Sequence, residues 1–420
     1  ETSKNMDRTQ IIRLQRAFCY TFEEWEKYIK PLAVRGDDPV GSMGYDGPLA
    51  VLSKKPQLLF NYFKQRFAQV TNPPIDAIRE AYVTSMEVYL GSEGNLLKPK
   101  KEDYQKIKLK TPILTKNEWL KIISLNLNGW KVSKLSTLFP TEQPESMEIY
   151  LKKLLKNAVK AANDGYQLLV ISDRGVNKEN AAIPSLLAVS SVHHYLIQKG
   201  LRNKVSIIVE SGEPREVHHF AALLGYGANA IYPYLVYASL SQLEEAVDND
   251  LIDKYVKGIT KGILKIMSKM GISTVQSYIG AQIFEAIGLS REVIENYFPR
   301  TISQIGGLEL NDIALETVIR HKAAWEDDEL LLEEGSDFQW RKNGEDHLYR
   351  PETIHTLQLA CRTGKYELYK KYSEMLSKET NTTLRGLFEL KSDRKPIPIE
   401  EVEPIESIFK RFKTGAMSFG

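Results

Sequence analysis

Thr71 and Asn72 stand directly before Pro73 and Pro74, inside the stretch F-A-Q-V-T-N-P-P-I-D at residues 67–76. A residue preceding proline is driven toward an extended backbone. The prolines fix their own φ angles and bring no N–H groups. The bend is therefore stiff, and its carbonyls, those of Thr71 and Asn72 included, need partners from elsewhere. Two readings stay open on local chemistry. In one, Asn72 caps an amphipathic helix with Pro73 in its first position. In the other, the bend is a rigid rim of carbonyl acceptors facing a passage.

Other chemistry-bearing residues give weaker patterns. Histidines come in doublets, His193-His194 and His218-His219. Neighbours on a helix point about 100° apart and do not converge on one ion, and no H-E-x-x-H frame accompanies them. Core or helix-surface histidines are the better reading. The two cysteines, Cys19 and Cys361, cannot ligate an iron–sulfur cluster or close a zinc site unaided. Both read as small buried hydrophobes. Residues 36–48 are rich in glycine and proline but lack a lysine or a G-x-G-x-x-G frame, so they read as turns. Asp173-Arg174 follows an apolar run and reads as an ion pair.

The elements that must position these groups change texture along the chain. Residues 1–115 read as helical and loop-rich, with helices at 11–29, 56–66 and 75–90 and no repeated strand. From residue 116 to 320, short apolar runs alternate with longer helical patterns. Residues 135–139, 168–172, 205–210, 230–233 and 274–278 read as buried strands. Residues 146–163, 183–199, 214–224 and 240–270 read as helices between them. That alternation implies an α/β fold with a parallel sheet, closer to a barrel than to a dinucleotide-binding sheet because no Gly-rich turn follows the first strand. Gly306-Gly307-Leu308 reads as a turn. Residues 321–385 read as a helical connector, with a helix over 351–376 broken at Gly364. Residues 386–420 read as an extended crossing and a short helix, and 414–420 as the first strand of a further domain.

One unit is more specific. Val209-Glu210-Ser211-Gly212-Glu213-Pro214-Arg215 leads into a helix and then Gly225-Tyr226-Gly227-Ala228. A strand ending in Ser-Gly, a helix and a G-x-G-A strand entry resemble the phosphate-gripping end of flavin-binding barrels. Glu210 and Glu213 would repel a phosphate, so the expectation is barrel architecture with the flavin site lost.

Composition bounds the partners. The 420 residues carry 56 Lys and Arg against 54 Asp and Glu, a net charge of +2, which gives no electrostatic case for nucleic acid. No apolar run approaches a membrane span, and residues 1–11 are too polar for a signal peptide. The expectation is a cytoplasmic protein with no membrane partner.

Six ordered stretches, 60–76, 91–97, 209–233, 277–289, 350–372 and 414–420, together resemble the central domain of the glutamate synthase large subunit. The resemblance implies a fold like an FMN barrel that no longer binds FMN, set between an amidotransferase domain and a synthase domain of one parent chain. That parent hydrolyses glutamine, passes ammonia inward, and makes glutamate from 2-oxoglutarate at an FMN barrel with a 3Fe-4S cluster. A small NADPH-oxidising subunit or ferredoxin supplies the electrons. In the family the V-T-N-P-P segment lies on the ammonia passage, which makes Thr71 and Asn72 the tunnel residues here. Met417 and Ser418 match the entry of the synthase barrel, where they would lie against FMN in the parent enzyme. No catalytic residue, metal ligand or bound cofactor is expected in this chain alone. The alternatives are a free-standing barrel acting as a binding or regulatory module, and an independent flavin oxidoreductase, which would need a phosphate site that the sequence does not supply.

Overall fold

The computed structural model describes residues 6–39, 44–67, 73–95, 97–125, 129–243, 248–326, 330–378, 382–389 and 391–412. The strands are β1 (Phe63–Gln65), β2 (Val88–Leu90), β3 (Ile107–Leu109), β4 (Val132–Ser136), β5 (Leu138–Pro140), β6 (Leu168–Ser172), β7 (Asn180–Ala182), β8 (Ser206–Glu210), β9 (Ala230–Tyr232), β10 (Phe284–Leu289) and β11 (Ile302–Leu308).

The central feature is a four-stranded parallel sheet in the order β4-β6-β8-β9. Helices Met147–Asn163, Ser185–Gln198 and Val217–Gly225 connect successive strands, since parallel neighbours need a crossover. Every residue of β6 and β8 is buried, which explains why their sequences, LLVIS and SIIVE, carry no alternating pattern. A parallel bridge from Ile113 to Ile231 adds one more chain segment beside β9. Among the described residues the sheet does not close on itself. A second sheet, β1-β10-β11, pairs β1 antiparallel and β11 parallel to β10. One hydrophobic cluster runs from Ile11 to Val318 and includes residues of both sheets. No described helix is long and apolar enough to cross a membrane.

Several expectations need correction. Residues 274–278 are not a strand: Val275–Tyr278 is a short helix with Val275 and Tyr278 buried, a three-residue spacing that puts both on one face of a helical turn. The next strand is β10, ten residues on. Gly306 and Gly307 lie inside β11 and not in a turn. A side chain on Gly307 would stand 2.2 Å from the Gly288 carbonyl oxygen, so glycine there permits two strands to meet at an irregular register. The N-terminal third does hold strands, β1 to β3. Residues 56–66 give a 3₁₀ turn, Leu59–Tyr62, and then β1. Within 75–90 only Glu80–Val83 is helical before β2. The helix expected over 11–29 is two, Arg8–Ala17 and a run from 22 to 35, separated where Cys19 takes φ +57°. In the C-terminal region, helices Pro351–Thr363 and Tyr366–Lys378 part at Gly364, as its position in the pattern predicts.

Candidate functional site

Parallel α/β sheets present ligand-binding groups at the carboxyl ends of their strands. Here β6 and β8 end side by side, with Ser172 opposite Glu210. The buried Glu210 carboxylate accepts from Ser172 Oγ at 2.7 Å and pairs with Arg174 Nε at 3.0 Å and Lys134 Nζ at 2.7 Å. Asp173 turns the other way. It accepts from Ser211 Oγ at 2.5 Å and from the Gly212 amide at 3.0 Å. Burial pushes its carboxyl up to about 7. Asp173 and Arg174 thus serve different partners and do not form a pair with each other. Glu213 accepts from the Ser185 amide at 2.8 Å and hydroxyl at 2.6 Å.

Above these groups lies an arm of the chain, residues 18–24. Arg215, fully enclosed, binds Glu24 at 2.6 Å and donates to the carbonyls of Phe18 and Cys19, each at 2.8 Å. Its guanidinium lies 4.3 Å from the centre of the Tyr20 ring. Tyr20 donates its hydroxyl to the Gly212 carbonyl at 3.0 Å. Phe18 covers Gly212.

These residues do not fit an FMN phosphate. The Gly212 amide is committed to Asp173 and the Glu213 amide to Ser211 Oγ. The surrounding carboxylates have their own partners, and the cations beside them are spent on those carboxylates, Arg174 and Lys134 on Glu210 and Arg215 on Glu24. The second half of the expected grip lies elsewhere. Helix Val217–Gly225 starts near the β8 exit and ends near the β9 entry, so Gly225 and Gly227 sit at the opposite end of the sheet from Gly212. There the Gly227 carbonyl accepts from Arg202, and Gly225 packs under Phe284.

The histidine doublets are structural. His193 Nδ1 accepts from Arg202 Nε at 2.9 Å, and burial drives its pKa down to about 2. His194 bonds the Ser190 carbonyl and Gln282, each at 2.8 Å. His218 bonds the Phe60 carbonyl, and His219 stacks on the Phe60 ring at 4.4 Å. No cluster of potential metal ligands occurs among the described residues. Cys361 is exposed, contrary to its expected burial, while Cys19 is half-buried with its thiol pKa raised by desolvation.

Beside the arm, at the exit of β8, opens a cavity of about 780 Å³. Arg215, Glu216, Arg320 and the exposed Asp337 are among its lining residues, with the cations Arg16, Lys55, Arg341 and Lys342. Glu24 lies 191 residues before Arg215, so no local pattern could connect them. Arg320 and Asp337 sit in segments without any motif.

Thr71 and Asn72 lie outside the described residues, as do Met417 and Ser418. The chain on both sides of the Thr71-Asn72 step rests on the end of helix Asp248–Met270. The Ile75 amide donates to the Ser268 carbonyl, and Lys269 Nζ lies 5.5 Å from the centre of the Phe67 ring.

Residues 13–290 match the family model of the glutamate synthase central domain, and residues 347–420 match a conserved region in glutamate synthase. The chain belongs to the glutamate synthase central-domain family. It is 53% identical to the glutamate synthase [NADPH] large chain of Bacillus subtilis, over 100% of its own length and 28% of the relative's. It is 42% identical to the glutamate synthase [NADH] of Schizosaccharomyces pombe, over 100% of this chain and 21% of that one. A ferredoxin-dependent glutamate synthase 2 of Synechocystis is also 42% identical, over 99% and 28%. This glutamate synthase region thus spans less than a third of each of these three relatives. Among solved structures, a mandelate oxidase aligns at 10% identity with a TM-score of 0.32, covering 56% of this chain and 92% of that one.

Proposed function

We propose that this chain works as the central domain of a cytoplasmic glutamate synthase large chain, joining an amidotransferase domain to an FMN- and 3Fe-4S-bearing synthase domain and lining the ammonia passage between them. The parent enzyme makes L-glutamate from L-glutamine and 2-oxoglutarate by reductive amination. The observation that carries the reading is whole-length identity to relatives named for three different electron donors. What those relatives have in common is the glutamate synthase name, whereas the donor differs. A region retained across all three therefore serves something other than donor recognition.

At the β8 exit the Gly212 and Glu213 amides and the Asp173 and Glu210 carboxylates already have partners within the chain, which supports a scaffold in place of a second reaction centre. We read the parallel sheet as the remnant of a flavin-barrel plan, with residues 1–115 and 116–320 as the two parts of the central domain, 321–385 as a connector, and 386–420 as the start of the synthase domain. FMN would belong to that synthase domain, with Met417 and Ser418 against it. Thr71 and Asn72 would offer carbonyl acceptors to ammonia, a small neutral donor, on a bend that Pro73 and Pro74 hold stiff.

The test uses the whole enzyme carrying Thr71→Trp or Asn72→Trp. Glutamine consumption is expected to exceed glutamate formation, with free ammonia appearing in the medium. An unchanged ratio at full turnover removes both residues from the passage.

A further inference from the structure

Residues 333–349 run along the cavity at the β8 exit, with Gly335, Asp337, Arg341 and Glu345 among its lining. The near end of this segment is held by the arm, whose Phe22 and Glu23 amides donate to the Glu333 and Glu334 carbonyls. The far end is fastened at His347, which is only 4% exposed. His347 Nδ1 lies 2.9 Å from the Asp46 carboxylate, and Nε2 lies 2.6 Å from the Ser336 carbonyl oxygen. Neither a carbonyl oxygen nor an ionised carboxylate has a proton to give. A neutral imidazole has one N–H and one bare lone pair, so it serves one of these oxygens and repels the other. The imidazolium donates to both at once. His194 shows the contrast. Its partners are the Ser190 carbonyl and the side-chain nitrogen of Gln282, an acceptor and a donor, which suit a neutral ring. A proton placed on Asp46 instead would also fill both contacts of His347. Asp46 is poorly suited to keep it, because its side chain is 31% exposed and its other oxygen accepts from the Tyr349 amide at 3.0 Å.

The charged groups around the ring favour the same form. Residues 44–48 supply Asp46 and the Tyr45 ring, 6.5 Å away. The segment itself supplies Asp337, Glu345 and Asp346. Lys54 and Arg350 lie against Asp346, at 3.1 and 3.7 Å, and Glu345 accepts from the Ser53 hydroxyl at 2.6 Å. Burial opposes the charge on His347, but the Ser336 carbonyl, Asp46 and then Asp337 outweigh it and hold the ring's pKa above its ordinary 6.5. We propose that His347 is a proton-dependent clasp: its imidazolium ties residues 336–349 to residues 44–48, and loss of its proton frees this wall of the cavity. The tie also spans two family regions. Asp46 lies within the residues that match the central domain, and His347 opens those that match the conserved region in glutamate synthase. The clasp fixes where the second region leaves the first. Because the folded ring keeps a proton that an unfolded histidine gives up, the clasp is fully made below about 6.5 and is lost as pH rises through the folded value.

The experiment is hydrogen exchange of the 420-residue chain, read by mass spectrometry across pH 6 to pH 9, with each rate divided by the intrinsic rate at that pH. The reporters are the Leu348 and Tyr349 amides, which donate to the Asp46 carbonyl and carboxylate. Helix Met147–Asn163 is the control. Protection of the reporters is expected to fall about tenfold or more over this range, the loss of one charge-assisted hydrogen bond, while the control holds. His347→Gln is expected to show the low protection throughout and no pH step. Asp46→Asn, at a partly exposed position, is expected to move the step to lower pH, because the carboxylate no longer holds the proton on the ring. Asp46→Asn decides the matter even where His347→Gln unfolds the control helix. Protection that is the same at both ends of the range overturns the proposal. So does a step that stays at the same pH in either variant, which would assign it to another group.

Discussion

The Phe18 ring lies so close over Gly212 that a Cβ added to the glycine would stand 2.6 Å from it. The N-terminal arm thus rests directly on the backbone that leaves β8, and only the smallest residue permits that approach. Gly212→Ala is expected to destabilise the fold by about 1–3 kcal/mol, the usual cost of overpacking. Urea unfolding measures it. In a Phe18→Leu background the cost should shrink, because the two residues share one contact. Equal costs in both backgrounds would show that the arm does not bear on this glycine.

Arg215 and Glu24 form the buried ion pair that fastens the arm. Arg215→Met leaves Glu24 enclosed without its cation and three carbonyls, those of Phe18, Cys19 and Glu213, without their donor. A loss of about 3–5 kcal/mol is expected. Adding Glu24→Gln to Arg215→Met should recover part of it, since the stranded charge is then gone. Thermal or urea unfolding of the two variants compares them. No recovery would mean that the loss came from packing around Tyr20 in place of the charge.

Asp173 links the same region to pH. Burial raises its folded pKa to about 7, above its ordinary value of 3.8. Between those values the folded state holds a proton that the unfolded state has released. This carboxyl therefore favours folding more as pH falls from about 7 toward 4, and the advantage fades as pH rises through 7. The buried His193 and His219 have lowered pKa values and act in the opposite sense below their usual range. The difference between wild type and Asp173→Asn isolates the carboxyl. The variant should gain on wild type by a few kcal/mol, to order of magnitude, on going from pH 5 to pH 8. A pH-independent difference in urea midpoints would refute this assignment.

Tyr20 offers a milder test of the same contact. Tyr20→Phe removes the hydroxyl that donates to the Gly212 carbonyl but keeps the ring against Arg215. The expected cost is about 1 kcal/mol in chemical unfolding. A cost near zero would mean that the carbonyl finds another donor.

The parallel sheet was legible in the sequence because β6, β8 and β9 are short apolar runs, each fully buried and set between helical patterns. Helices Met147–Asn163, Ser185–Gln198 and Val217–Gly225 followed from the same alternation. Residues 50–110 were not, because the helices there are single turns and the strands three residues long, too short for either period to register. Residues 274–278 failed for the same reason. At the site, Glu210, Ser211, Gly212 and Arg215 could be singled out from one contiguous stretch. What they bind could not, since Glu24, Lys134, Ser185 and Arg320 come from distant segments. The two glycine groups that looked like one grip are separated by a helix of nine residues, about 13 Å at 1.5 Å per residue.

The arm also has consequences for the order of assembly. Residues 21–24 meet β8's exit through Arg215 on one side and residues 333–338 on the other. Phe22 and Glu23 donate their amides to the Glu333 and Glu334 carbonyls, and the Phe338 amide donates to Glu23 across 315 positions of sequence. Such distant pairings form only after the intervening chain has been ordered. On the ribosome this segment must therefore wait, Phe18 and Tyr20 until some two hundred further residues have emerged to cover them, and Glu23 until some three hundred have.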